Sequence, residues 1–253
     1  MRCIWCKNFR TEWSVEHVIP ESLGNSEVLL ESGVCRKCNN DLGDLDSALL
    51  RPFELLTVSH NVHRKGKRPP KIATWPGIRS HFENNNHQIF FNMERYPVAT
   101  PFGYLPPDKR NFIAGFQVHE DNPVIGQRIK YTISLRLGFD RKFVRAVYKC
   151  GLNILAKQFG LELVLQDRFD SIRHFVRRNK GNFIAIMMQR ETGDFDGVLA
   201  TFHDPEIEIY ASGFSLFGFH FICDFDVNYR YFEILRSFDH SVLEGSIVEV
   251  PIR

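Results

Sequence analysis

Apolar residues recur every three or four positions between residues 141 and 159, and this spacing predicts the clearest helix of the chain. Gly160 directly after it is a typical helix stop. A second helix is predicted near residues 169–178, with its apolar side chains on one face and its arginines on the other. Both helices should therefore present basic residues to solvent.

Leucines at helical spacing predict a shorter helix over residues 39–50. We expect Pro52 to end or kink this helix, because proline lacks a backbone N–H and crowds the preceding turn. Strand-like runs follow at residues 88–92, 111–118 and 128–137, and the last of them alternates polar and apolar residues.

Residues 183–250 are rich in strand-forming sequence. Within them, residues 215–226 place alternate phenylalanines on one face and His220, Asp224 and Asp226 on the other. The favoured interpretation is a half-buried strand with a solvated polar face, and a second metal site is the weaker alternative. The pattern as a whole predicts an α+β protein whose C-terminal part contains a largely antiparallel sheet.

The 253 residues are 43% hydrophobic and 25% charged, as in ordinary soluble globular proteins. No apolar run reaches the roughly 18 residues that a membrane span needs. The first residues also lack an apolar stretch long enough for a signal peptide. We therefore expect a cytoplasmic protein without a membrane partner.

The net charge of +2 hides two basic segments. Residues 51–80 hold seven Lys or Arg against one acidic residue, and residues 141–180 hold ten against three. Clustered basic residues can bind the phosphates of a nucleic acid, although solvated surface charge is an equally good interpretation. The candidate nucleic-acid-binding residues are Arg64, Lys65, Lys67, Arg68, Lys71, Arg141, Lys142, Arg145, Lys149, Arg173, Arg177 and Arg178.

Four of the six cysteines form two C-x2-C pairs near the start of the chain. The first pair is Cys3 and Cys6, and the second pair, 28 residues further on, is Cys35 and Cys38. In a reducing compartment such pairs are typical metal ligands, and two of them complete a tetrahedral zinc site. We therefore predict a structural Zn²⁺ that brackets a segment larger than that of a plain zinc ribbon.

The bracketed segment contains Glu16-His17-Val18-Ile19-Pro20, followed by Leu23-Gly24-Asn25, and the second cysteine pair continues into Asn39-Asn40. In this combination, residues 1–50 resemble the HNH, or ββα-metal, nucleases of the subgroup with four zinc-binding cysteines. The resemblance implies a β-hairpin that carries an acidic residue followed by histidine, and a helix that begins after the second cysteine pair.

A catalytic site follows from this resemblance. His17 would be the general base, because imidazole titrates near neutral pH. Glu16 and Asn39 would hold a catalytic Mg²⁺ or Mn²⁺, since such ions prefer oxygen ligands. The chain departs from the commonest pattern in having Glu16 where Asp is more usual. Asn25 is the nearest counterpart of the family's central asparagine, and Asn40 could replace Asn39 as the ligand.

The sequence thus predicts an HNH-type module over residues 1–58, a basic linker over 59–80 and an α+β domain over 81–253 that recognises a target, senses a signal or mediates assembly. The expected activity is metal-dependent hydrolysis of DNA phosphodiesters, and the resemblance suggests a role in bacterial defence or restriction. Two alternatives stay open, namely a zinc-dependent nucleic-acid-binding module without catalysis and a nuclease subunit that is active only with a protein partner. A homodimer is a further expectation, because double-strand cuts generally need two active sites.

Overall fold

A computed structural model describes residues 1–25, 27–59, 62, 78–82, 85–92, 115–118, 140–189, 199–237 and 246–249. The elements β1 (Trp13–His17) and β2 (Leu29–Cys35) form an antiparallel hairpin, and α1 (Arg36–Ser59) follows directly. The pairing of the two strands shifts register between Ser14 and Glu16. This arrangement confirms the predicted ββα module, with one cysteine pair before β1 and the other where β2 ends and α1 begins.

The helix α1 continues through Pro52 to Ser59. The expectation that Pro52 would end the helix was therefore wrong. The reason is the residue that follows. Phe53 is fully buried, and its ring lies 5.7 Å from that of Phe219 and 6.0 Å from that of Phe221, measured between centroids. Packing of this aromatic cluster outweighs the hydrogen bond that proline cannot donate.

The C-terminal part contains helices on an antiparallel sheet, as predicted. The helices are α2 (Arg141–Phe159), α3 (Leu161–Val164), α4 (Asp170–Arg178) and α5 (Arg230–Ser237). A three-stranded antiparallel sheet contains β3 (Ile78–Phe82), β4 (Asn85–Asn92) and β5 (Gly115–Val118), in the order β3-β4-β5. A five-stranded sheet contains β6 (Ala185–Gln189), β7 (Leu199–Asp204), β8 (Ile209–Leu216), β9 (Phe219–Asp224) and β10 (Ser246–Glu249), in the order β10-β6-β9-β8-β7. The strand predicted over residues 128–137 lies outside the described residues.

Residues 215–226 do not form the single strand that their alternation suggested. The chain reverses at Phe217 and Gly218, which both have positive φ angles of 52° and 82°, and β8 pairs with β9 across this turn. Gly218 adopts such a conformation at little cost, and the turn converts one predicted strand into a hairpin.

The helix α2 lies between α1 and the five-stranded sheet, and its residues from Phe143 to Ala156 are buried except for Arg145. One apolar cluster extends from the N-terminal cysteines through α1 and α2 to β9. The boundaries at residues 58 and 80 stay a prediction, and most of the linker lies outside the described residues. Among the described residues, no helix has the length and apolar character that crossing a membrane requires.

Candidate functional site

The four cysteines that the two C-x2-C pairs supply converge at one point. Their sulfur atoms, from Cys3, Cys6, Cys35 and Cys38, all lie within 4.8 Å of one another. The backbone N–H of Cys35 donates to Cys3 Sγ at 3.4 Å, and that of Cys38 donates to Cys35 Sγ at 3.4 Å. Such a set of four sulfurs at the end of a hairpin and the start of a helix fits a tetrahedral zinc ion. The predicted cysteine cluster is thus present, and it could hold zinc.

The first cysteine pair is also attached to the C-terminal helices. Lys7 forms ion pairs with Asp167 and, at 3.3 Å, with Asp170 at the start of α4. From the other end of α4, Arg177 donates to the backbone carbonyl of Trp5 at 3.4 Å. The turn that carries Cys3 and Cys6 therefore lies against a helix that belongs to the other half of the chain.

A cleft of about 190 Å³ lies at the end of the hairpin, beside the first turns of α1. The residues that line it are Val15, Glu16, His17, Pro20, Glu21, Ser22, Asn39 and Asp46. The structure therefore brings together the three catalytic residues predicted from the sequence, Glu16, His17 and Asn39, at one surface opening. Two carboxylates that sequence reasoning had not included, those of Glu21 and Asp46, face the same cleft.

The loop between β1 and β2 is held in place by Asn25. Its buried amide nitrogen donates to the carbonyls of Ile19 at 2.8 Å and Val28 at 3.0 Å. Its oxygen accepts from the backbone N–H groups of Val28 at 2.9 Å and Glu27 at 3.3 Å. Four hydrogen bonds to the backbone mean that Asn25 shapes the loop, and it does not line the cleft.

The side chain of His17 is 30% exposed at the end of β1, and its Nε2 lies 3.8 Å from a carboxylate oxygen of Glu21. Across the cleft, Asn39 donates through Nδ2 to Ser14 Oγ at 2.6 Å, which leaves its amide oxygen as the candidate metal ligand. Asn40, the possible substitute, is exposed and does not line the cleft. Of the two asparagines, only Asn39 is therefore placed to act there.

Glu16 has a different environment from the one its sequence suggested, because it is buried and paired with a lysine. The ammonium of Lys149, on α2, lies 2.8 Å from Glu16 Oε1 and 2.6 Å from Asp46 Oδ1. Asn153, one turn further along α2, donates to Glu16 Oε1 at 3.3 Å. The two side chains of the Glu16–Lys149 pair are each only 3% exposed.

Burial and charge act together on this group of side chains. Burial raises the pKa of Glu16, although the adjacent ammonium of Lys149 opposes the shift. Burial alone would lower the pKa of Lys149, but the carboxylates of Asp46 and Glu16 outweigh it and the pKa is raised. Lys149 is therefore a permanent cation behind the cleft.

Two of the predicted nucleic-acid-binding residues are not at the surface, and their prediction as surface cations was wrong. Lys149 is 2% exposed, for the reason just given, and Arg173 is 3% exposed. Arg173 pairs with Asp170 at 2.7 Å and donates to the backbone carbonyls of Val164 and, at 2.7 Å, Gln166. Both side chains satisfy buried acceptors and cannot reach a phosphate backbone.

The other predicted basic residues are divided between internal contacts and the surface. Arg141 and Arg145 donate to backbone carbonyls at and beyond the end of α4, including that of Val176 at 2.6 Å. Lys142 and Arg178 are exposed, and Arg177 is partly exposed. The basic residues of the linker, Arg64, Lys65, Lys67, Arg68 and Lys71, lie outside the described residues.

The alternative metal site of His220, Asp224 and Asp226 is not formed. His220 Nδ1 lies 2.6 Å from Ser215 Oγ, whereas Asp224 accepts from the backbone N–H groups of Asp226 and Phe232. Where the structure describes the chain, the group of His, Cys, Asp and Glu side chains with metal-ligand spacing is the four-cysteine cluster.

Comparison with known families assigns the first part of the chain. The profile of the HNH endonuclease family matches residues 3–54, which include both cysteine pairs, the hairpin, the cleft residues and most of α1. This match covers about a fifth of the chain, and it agrees with the HNH resemblance that the motifs of residues 1–50 indicated. Neither the curated proteins nor the solved structures gave a significant match to the chain.

Proposed function

We propose that this protein is a metal-dependent endonuclease that hydrolyses phosphodiester bonds of DNA in the cleft beside its zinc-binding cysteines. The observation that carries the proposal is that His17 and Asn39, which lie at opposite ends of the HNH motif, line the same cleft. The family assignment supports nuclease activity in general, whereas DNA as the substrate is part of the proposal.

The donor set of the cleft fits a Mg²⁺ or Mn²⁺ ion. The cleft is lined by the carboxyl groups of Glu16, Glu21 and Asp46, and the ammonium of Lys149 pairs with those of Glu16 and Asp46. Asn39 and Glu16 would hold the ion, and waters and the substrate phosphate would complete its shell, as is usual for Mg²⁺. When bound, such an ion would neutralise the charge that develops on the phosphate and the leaving oxygen.

His17 would act on the water that attacks the phosphorus. It is partly exposed at the cleft and can accept a proton from a water molecule there. Glu21, 3.8 Å from Nε2, would stabilise the imidazolium that results. The zinc-binding cysteines would have a structural role, because Asn39 follows Cys38 directly and is thereby held at the start of α1.

Exposed basic residues would hold the phosphate backbone of the substrate. Lys142 and Arg178 are the described candidates at the surface, and the basic linker supplies the others that the sequence predicted. Roles in bacterial defence or restriction, a homodimer and the cytoplasmic location stay predictions.

The test is cleavage by zinc-loaded protein of plasmid DNA, single-stranded DNA and RNA, with and without Mg²⁺ or Mn²⁺. We expect cleavage of DNA that requires the added ion, and we expect Asn39→Ala to raise the Mg²⁺ concentration needed by at least about tenfold, as for loss of a metal ligand. Binding without cleavage would favour the non-catalytic binding module. Cleavage only after addition of a cell extract would favour the partner-dependent subunit.

A further inference from the structure

A lysine that contacts two cleft residues comes from outside the segment that matches the HNH family. Lys149 belongs to α2, about 100 residues beyond the end of the family match, and its ammonium lies between a carboxylate of the hairpin and a carboxylate of α1. Asp46 lines the cleft with its side chain 32% exposed, and Glu16 lines it as well. The cation is thus placed directly behind the residues proposed to bind a divalent ion.

We propose that Lys149 is a positioning residue of the candidate active site. Its ammonium occupies the space between Glu16 and Asp46 as a built-in counter-ion, orients both carboxylates and limits how tightly the cleft binds a divalent cation. The inference rests on the proposed function in that it assumes that the cleft takes such a cation.

The geometry around Glu16 supports this role. Its Oε1 accepts from both Lys149 and Asn153, so two donors on successive turns of α2 fix one oxygen of the carboxylate. An ammonium held at 2.8 Å from one carboxylate and 2.6 Å from the other prevents a metal ion from bridging the two at that place. Both Glu16 and Asp46 also line the cleft, where a cation would bind in an exchangeable manner.

A purely structural role does not explain a buried lysine at this position. A second pair joins the same two helices, since Lys142 of α2 lies 3.1 Å from Asp44 of α1, and this pair is exposed. Burying charges costs free energy that an apolar residue of similar size would avoid, so a helix contact alone would be served as well by a hydrophobic side chain. Lys157, an exposed lysine of the same helix, provides a matched control.

The test measures Mn²⁺ binding to zinc-loaded protein in the absence of nucleic acid, by electron paramagnetic resonance of the unbound ion. We expect Lys149→Met to bind Mn²⁺ at least about tenfold more tightly than the wild type, because two carboxylates then lack their counter-ion. Lys157→Met, at an exposed position of α2, should bind Mn²⁺ as the wild type does. Zinc content and thermal unfolding of each variant show whether it has folded.

If Lys149→Met does not fold, the same comparison is made in an Asp46→Asn background. In that background Lys149→Met leaves one carboxylate, that of Glu16, without its counter-ion. We expect the double variant to bind Mn²⁺ at least about tenfold more tightly than Asp46→Asn alone. Equal Mn²⁺ affinity with and without the Lys149 ammonium would overturn the inference, even if the protein cleaves DNA. Tighter binding would support it, even if no cleavage is found.

Discussion

Asn25 shows how much a single polar side chain contributes to the candidate site. It is fully buried, and all four of its hydrogen bonds go to the backbone of the segment that follows His17. Because removal of the amide would leave buried carbonyls and N–H groups without partners, Asn25→Ala should lower the free energy of unfolding by at least about 2 kcal/mol. Urea denaturation measures the change.

The matched control for this substitution is Asn40→Ala, on the exposed side of α1. It should change the free energy of unfolding by less than about 0.5 kcal/mol, as is usual for surface positions. Similar values for the two variants would show that the loop does not depend on Asn25.

At the residue scale, the sequence indicated the candidate site residues Glu16, His17 and Asn39 but not the side chains that contact them. The order Glu16-His17, Cys38-Asn39 is a local motif, so it could be found without the fold. Lys149 approaches Glu16 across 133 positions of sequence, and no local pattern encodes such a contact. One signal was present, because Lys149 lies beside Tyr148 and three residues before Leu152, which are both on the apolar side of α2.

Among the elements, α2 depends on a close approach to the sheet. A Cβ atom at Gly151 would lie 2.8 Å from Ser212 Oγ and 2.9 Å from Cys223 Sγ. We therefore expect Gly151→Ala to lower the free energy of unfolding by about 1–3 kcal/mol through overpacking. Thermal and urea unfolding would measure this loss.

Gly43 provides the opposite case on α1, since a Cβ atom there would meet nothing within 4 Å. Alanine has the higher helix propensity, so Gly43→Ala should raise the free energy of unfolding by up to about 1 kcal/mol. If Gly151→Ala were also stabilising, the proposed tight packing of α2 on β8 and β9 would be incorrect.

The ends of an element could be predicted where a local apolar periodicity defines them. They could not be predicted where contacts between distant parts of the chain determine them. The predicted limits of α2, residues 141–159, match the structure because its periodicity and its stop at Gly160 are local. The end of α1 and the turn at Phe217 were missed because both depend on aromatic packing between separate parts of the chain. Phe53 and Phe217 themselves lie 5.7 Å apart, measured between ring centroids.

For the whole molecule, a zinc ion held by the four cysteines should stabilise more than the residues that match the HNH family. They contribute to the same apolar cluster as α2 and β9, and Lys7 and Arg177 connect the first cysteine pair with α4. Removal of zinc with a strong chelator should therefore lower the free energy of unfolding by at least about 3 kcal/mol, a part of the roughly 10–16 kcal/mol with which finger peptides bind zinc.

Hydrogen exchange would locate this effect. We expect faster amide exchange after zinc removal in α2 and α4 as well as in residues 1–59. Faster exchange confined to residues 1–59 would instead show that the HNH domain unfolds separately from the rest of the chain.

The most direct test of the account compares two histidine variants in the DNA cleavage assay. His17→Ala should reduce the Mg²⁺-dependent rate by about 10²–10⁴-fold, the usual contribution of a general base, with zinc content unchanged. His174→Ala, at an exposed position on α4, should cleave as fast as the wild type. Wild-type rates in His17→Ala would contradict the assignment of the cleft as the active site.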